Sequence, residues 1–275
     1  MKLFFKSIGY LILIGIVTIL YATFIEPDLL RVIHYDFPHS KIQAQPIKVV
    51  QFSDTHIGDF FTTEELQKVV DKINEQQADL VLFTGDLMDD ASVYQGSIEE
   101  IGAILSNIQS KFGNYAVFGN RDYGGGAERF YEELMESAGF HVLLNNHETI
   151  NVNGTTISLF GADDARIGYY NAKQTMQGIE EENFNLLLVH EPDLVDDFID
   201  YPVDLVVAGH SHGGQVYIPF VGPLLTTTLA EKYVRGLYEI NEDLSLYVNT
   251  GIGNTRVPFR LFNVPQITVF YLTGE

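Results

Sequence analysis

Five short apolar runs in this chain, residues 47–52, 80–83, 115–118, 186–189 and 205–208, each lead into residues of metal-binding type. Behind them stand Asp54 and His56, then Asp86, then Asn120, then His190, and finally His210 and His212. Carboxylate, amide oxygen and imidazole suit Mn, Fe or Zn, and the donor set alone does not choose among them. In a sheet with helical crossovers, ligands collect in the crevice beyond the carboxyl ends of the strands. Seven N/O donors arriving there are enough for two metal ions sharing one carboxylate, the equipment of a dinuclear hydrolase.

Taken singly, each motif has a plain structural reading. Asp86 behind Gly85 can cap a turn, Asn120 behind Gly119 can be a turn residue, and His190 can be satisfied by a backbone carbonyl. His210-Ser211-His212 is more specific, because two imidazoles two residues apart on one loop project toward a common centre. The ordered set at five strand ends turns the balance to metal binding.

Composition narrows the partners. The 275 residues could hold one large domain or two modest ones. With 37 acidic residues against 16 Lys and Arg the formal charge is −21, so a polyanion is repelled and no nucleic acid is expected. There is no cysteine, which excludes disulfides and thiolate metal sites.

Residues 7–25 carry no charge and reach the roughly 17–25 residues that a helix needs to span hydrocarbon. Lys2 and Lys6 favour a cytoplasmic amino end and an extracellular catalytic domain, although Arg31 and Lys41 weaken that bias. A cleaved signal peptide is the competing reading. It calls for a shorter apolar core and small residues at the cleavage site, whereas this segment ends Leu20-Tyr21-Ala22-Thr23-Phe24-Ile25. No twin-arginine pair is present. Residues 1–25 are therefore read as an uncleaved single-pass anchor in the cell membrane. Residues 26–45, with Pro27 and Pro38, read as a juxtamembrane linker with one short helix near 29–33 and with His34 and His39 exposed. Residues 46–275 read as one catalytic domain.

Helical periodicity follows the first strands. Thr62-Thr63-Glu64-Glu65 has the form of a capping box ahead of Leu66, Val69, Val70 and Ile73. Ser97 to Glu100 repeats it, and a third helix is expected at 127–138, stopping at Gly139. This alternation implies an α/β domain with parallel strands. Asn153-Gly154 between two β-rich runs signals a hairpin, and 215–218, 233–240, 244–249 and 266–272 look like strands joined by antiparallel turns. The class is thus mixed, α/β shading into α+β, with two sheets face to face and helices outside.

These motifs resemble the calcineurin-like metallophosphoesterases, over essentially all of 46–275: Asp54-x-His56, Gly85-Asp86-x-x-Asp89, Gly119-Asn120-Arg121-Asp122, His190 and Gly209-His210-Ser211-His212. The stretches 189–193, 209–215 and 249–265 are similar to the YkuE-type envelope phosphoesterases. The resemblance implies a four-layer αββα sandwich. It implies Asp54, His56, Asp86 and His212 on one metal and Asp86, Asn120, His190 and His210 on the other, with Asp89 and Asp122 orienting them. The chemistry agrees. A carboxylate such as Asp86 has two oxygens with which to bridge, and two cations about 3.5–4 Å apart can share a hydroxide that attacks phosphorus in line.

One position departs from the common pattern. Where most of the family has His after Gly-Asn, this chain has Arg121, and Gly-Asn-Arg-Asp resembles the UDP-diacylglucosamine hydrolases, which cut a pyrophosphate. Arginine stays protonated and cannot protonate a leaving group, but its planar fork can hold phosphate. The plainer alternative is that Arg121 pairs with an acidic neighbour. The expected activity is hydrolysis of phosphodiester or pyrophosphate bonds in a phosphorylated small molecule or a lipid-linked substrate at the outer membrane face. A broad phosphomonoesterase is the alternative within enzymes. A non-catalytic metal-binding scaffold is the alternative outside them, disfavoured because every expected ligand is present. Specificity is expected in loops such as 163–182 and 230–235. The apolar stretch 220–225 is expected to be a buried strand connection rather than a membrane-facing loop.

Overall fold

In the computed structural model the described residues are 2–43, 45–255 and 257–274, with side chains from Phe4 onward. The first element, α1 (Lys2–Phe24), is 23 residues long, about 34 Å at 1.5 Å per residue, and its apolar side chains are exposed. It is long and apolar enough to cross a membrane. Its end is not free of the domain, because the Arg260 N–H donates to the Ala22 carbonyl at 2.9 Å.

Strands β1 (Arg31–Pro38), β2 (Ile47–Phe52), β3 (Leu80–Phe83), β4 (Asn114–Ala116) and β5 (Phe140–Val142) enter one sheet. A second sheet takes β6 (Asn146–Val152), β7 (Thr155–Gly161), β8 (Phe184–Leu188) and β9 (Leu205–Ala208). After a two-stranded ribbon of β10 (Tyr217–Ile218) and β11 (Gly222–Pro223), β12 (Gly236–Glu239) and β13 (Ser245–Val248) rejoin the second sheet, and β14 (Gln266–Thr273) crosses to the first. The orders are β1-β14-β2-β3-β4-β5 and β12-β13-β9-β8-β7-β6.

The layers follow from which faces are apolar. Val49, Leu80 and Leu82 of the first sheet meet Leu159, Leu186 and Leu205 of the second in a shared core. The first sheet's outer face is covered by α2 (Thr63–Glu75), α3 (Ile98–Leu105) and α5 (Tyr131–Ser137), after the single turn α4 (Asn120–Gly124). On the second sheet's outer face Leu194, Val195 and Phe198 of a 3₁₀ segment and the short α6 (Ala172–Thr175) take the same role. This is a sandwich of two sheets with helices outside, as the sequence pattern implied. The capping box at Thr62 and Glu65 is formed in both directions, and the 153–154 turn has Asn153 and Gly154 at φ 53° and 92°, as a tight hairpin demands.

Four expectations need correction. The linker at 26–45 contains β1, which pairs in parallel with β14 from the far end of the chain. Local periodicity could not find a strand whose partner lies more than two hundred residues away. The third helix is broken at Phe130, where a 3₁₀ turn at Ala127–Arg129 precedes α5. The late strands do not form one antiparallel group. β13 runs parallel to β9, while β14 lies between β1 and β2 in the other sheet. Finally, the stretch 220–225 is not buried: Phe220, Val221, Leu224 and Leu225 stand in solvent.

Candidate metal centre

The five apolar runs are β2, β3, β4, β8 and β9, so the seven donors converge from both sheets onto one shared carboxyl edge. All seven are buried. Five of them reach the centre by turning the backbone left-handed immediately after a strand: Asp54 (φ 54°), His56 (46°), Asp86 (59°), His210 (65°) and His212 (48°). Such positions cost about 1–3 kcal/mol each outside glycine, and strain of this kind gathers at functional sites. Two glycines make room. A Cβ on Gly119 would stand 2.3 Å from Asp86 Oδ1, and one on Gly209 2.0 Å from Ser53 Oγ.

Six side chains form two triads, each with ligand atoms close enough to share one cation: Asp54, His56 and His212, and Asp86, His190 and His210. Asp86 joins the two. Its Oδ2 lies 3.4 Å from His56 Nε2 and 3.3 Å from His190 Nε2. Its Oδ1 is taken by the Arg121 N–H at 2.7 Å. A single oxygen therefore faces both triads, where two had been expected.

The tautomers are set from outside. His190 Nδ1–H donates to the Thr84 carbonyl (2.7 Å) and His210 Nε2–H to the Thr228 carbonyl (2.9 Å). Each ring then turns its remaining nitrogen inward, His190 Nε2 facing His210 Nδ1 at 3.1 Å. His56 Nε2 likewise faces His212 Nε2 at 2.9 Å. Each of these nitrogen pairs is close enough to share a proton or a cation held between them. The Asn120 amide oxygen, buried with no hydrogen-bond partner, is a further lone-pair ligand atom left unused. The residues fit a pair of divalent ions.

Protonation tells the same story. Burial alone would depress His56, but hydrogen bonds to Asp54 and Asp89 and the charge of Asp86 outweigh it and push it up to about 9. Burial likewise opposes a charged His190, and Asp86 holds that imidazole well above its ordinary value. Against these two, burial and the neighbouring positive charge of His190 take His210 down to about 4, and burial with the charges of His56 and Arg260 takes His212 down to about 3. Burial would raise Asp86, yet His190 and His56 bring it to about 2.

Asp122 locks the strand ends. Its Oδ2 accepts the N–H of Gly119 (2.8 Å) and of Asp86 (2.9 Å), and its Oδ1 that of Leu87 (2.9 Å). Burial and the Asp86 charge push it up to about 7, while the amide donors pull it down. Asp89 Oδ1 lies 3.4 Å from His56 Nδ1.

A calcineurin-like phosphoesterase family model matches residues 47–214, which contain all seven donors. The chain belongs to the calcineurin-like phosphoesterase family. It is 37% identical to the metallophosphoesterase YkuE of Bacillus subtilis (strain 168), over 92% of this chain and 88% of that protein. It is 29% identical to the phosphodiesterase YaeI of Escherichia coli (strain K12), over 92% of each chain. It is also 29% identical to a zebrafish (Danio rerio) transmembrane protein with a metallophosphoesterase domain, over 86% of this chain and 56% of that protein.

Like other members of its family, this phosphoesterase is a hydrolase of phosphoesters. Arg121 lies on α4 beside the centre, its side chain about one-third exposed and its Nε 3.9 Å from Asp89 Oδ1. That is an ion pair without a hydrogen bond, so the plainer alternative, Arg121 beside an acidic neighbour, is present in the structure. The loop after β7 borders this helix, with Tyr123 Oη–H donating to Asp163 Oδ1 at 2.8 Å. His141 pairs with Glu148 and His147 stacks on Phe160, both as structural histidines. His34 is exposed as expected, whereas His39 is half-buried against Phe184.

Residue-by-residue reading gave no role to Arg260. It is fully buried behind His212, with a guanidinium nitrogen 3.4 Å from His212 Nδ1. It also donates to the carbonyls of Thr250, Gly253 and Asn263 and to Asn254 Oδ1. Burial brings it down to about 10, against the opposing pull of Asp54 and Glu26. Asn263 donates from its side chain to the His212 carbonyl and from its backbone N–H to Glu26, a buried carboxylate immediately after α1. The available signal was a lone cation among Pro258, Phe259, Leu261 and Phe262.

Proposed function

We propose that this phosphoesterase hydrolyses phosphodiester or pyrophosphate bonds at the outer face of a cell membrane, with two ions of Mn, Fe or Zn held by Asp54, His56, Asp86, Asn120, His190, His210 and His212. The observation that carries the reading is Asp86 Oδ2 between the imidazoles of both triads. When bound, two divalent ions would neutralise phosphoryl oxygens and lower the pKa of water for in-line attack. The chain's own residues do the rest. Thr84 and Thr228 fix the ring tautomers, Asp122 and the Arg121 amide fix Asp86, and burial keeps the site's electric fields strong. The Arg121 guanidinium, one-third exposed beside Asp89, offers donors to a phosphate but has no proton to give, which favours leaving groups that depart as stable anions.

The anchor reading rests on the exposed helix α1, on Lys2 and Lys6 in its first turns, and on the zebrafish relative's description as a transmembrane protein. A phosphorylated small molecule or a lipid-linked phosphate would then meet the site outside the cell. The deciding experiment is a substrate panel on the full chain with Mn added. Aryl diesters and nucleotide-sugar pyrophosphates should be turned over faster than aryl monoesters; the reverse order would favour a broad phosphomonoesterase.

A further inference from the structure

Next to the metal centre an unusual surface is exposed. Phe220, Val221, Leu224 and Leu225 are 108, 75, 58 and 78% exposed, four large apolar residues within six. Single exposed apolar residues are ordinary, but a contiguous group marks a contact surface. Phe220 and Val221 form the tip of the β10–β11 ribbon, closed by the pairs Tyr217–Pro223 and Ile218–Gly222, and Leu224 and Leu225 follow its return strand. Residues 213–230 contain no Asp, Glu, Lys, Arg or His, in a chain of formal charge −21.

The ribbon is joined to the exit of α1 by three consecutive residues. Arg260 N–H donates to the Ala22 carbonyl, the Tyr217 N–H donates to the Leu261 carbonyl (2.9 Å), and the Phe262 carbonyl accepts Arg235 Nη1–H (3.0 Å). Phe262 is itself 55% exposed. Arg235 lies over the Tyr217 ring at 3.3 Å and, with Arg31, lines the same cavity as Tyr21 and Glu26. Aromatic and cationic side chains at the end of an apolar helix are what the headgroup layer of an anionic bilayer selects.

We propose that the 220–225 hairpin is a second membrane contact, inserted beside α1, and that it lays the metal centre against the headgroups. This rests on the membrane reading of α1. The hairpin is short and need only reach the headgroup–acyl boundary, where its backbone groups keep water as a partner while the apolar side chains are buried. On its far side the chain runs directly to Thr228, whose carbonyl holds His210, and Pro223 packs on Gly214 behind His212. A membrane-seated hairpin therefore sets the height of the site, and the substrate it serves is the phosphate of an amphiphile lying in the bilayer.

The chain has no tryptophan, so single reporters can be placed. Full-length Phe220→Trp, Leu225→Trp, Ile14→Trp in α1 and Tyr169→Trp on the loop beside α4 would be reconstituted in phosphatidylethanolamine–phosphatidylglycerol vesicles brominated in the acyl chains. Emission of tryptophan at 220 and 225 should be quenched, as expected for a group seated at the headgroup–acyl boundary. Tyr169→Trp should be unaffected. Quenching at 14 with none at 220 or 225 would overturn the hairpin's insertion while leaving the anchor in place. Absence of quenching at all sites would remove the membrane reading as well. Equal quenching at 169 would overturn the proposal by showing that the hairpin is not the contact. Leu225→Trp serves as an independent reporter should Phe220→Trp disturb the turn.

Discussion

The Arg121 amide donates to Asp86 Oδ1 at 2.7 Å, while the Arg121 side chain makes no hydrogen bond to that carboxylate. One residue thus acts twice by separable means. Its backbone orients the carboxylate shared by both triads, and its guanidinium remains available to substrate. Any substitution at 121 other than proline keeps the backbone donor and tests only the side chain.

Substitution at position 121 should accordingly change specificity without loss of metal. Arg121→Ala should lower kcat/KM for diesters and pyrophosphates about 10²-fold, the scale of removing one donor from developing charge. Arg121→His should raise alkyl diesters relative to pyrophosphates, since a general acid contributes about 10²–10⁴ where the leaving group needs a proton. An unchanged ratio of the two kcat/KM values in Arg121→His would refute the role.

Asp86→Ala should empty both triads, because the oxygen lost is the one within 3.4 Å of His56 and 3.3 Å of His190. Elemental analysis of the purified full chain should show less than one ion per protein, and activity should fall to background. A fully active preparation containing no metal would end the dinuclear reading.

Arg260→Met should act on one triad alone. It removes the guanidinium behind His212 but touches neither His190 nor His210. Outer partners of metal ligands are typically worth about 10–100-fold in affinity, so titration should show one weakened ion and one unchanged. Carbonyls left without donors should also lower stability by about 1–3 kcal/mol, read from the unfolding midpoint. Equal weakening of both ions would mean that Arg260 supports the fold rather than the Asp54 triad.

Membrane integration is a separate expectation. The full-length chain should resist carbonate extraction, and protease added to intact cells should digest residues beyond 26. Release by carbonate, or protection of the domain, would contradict the anchor and its orientation. A mature protein beginning near Thr23 would point to secretion.

Removing α1 entirely should do more than solubilise the chain. Glu26 accepts the Asn263 N–H, and Asn263 holds the carbonyl of His212. A chain beginning after residue 28 should bind the ion of the Asp54 triad more weakly than the full chain does, measured by the same titration. Identical affinities would show that the anchor's exit does not support the site.

The convergence of six His and Asp side chains at strand ends, the two capped helices and the Asn153-Gly154 hairpin were legible because each is written locally. A strand followed by a ligand, a hydroxyl three residues before a carboxylate, and a turn dipeptide are short-range signals. Tertiary structure alone decided the partners that meet across the chain. β1 is a strand because β14 supplies its hydrogen bonds, and Arg260 stands behind His212 because the segment after β13 folds back between the site and α1. It also decided that one oxygen of Asp86 faces both triads, since the other is claimed by an amide 35 residues away. The exposure of 220–225 belongs with these. An apolar run reads alike in a core and at a membrane face, and only the packing of neighbours around it tells the two apart.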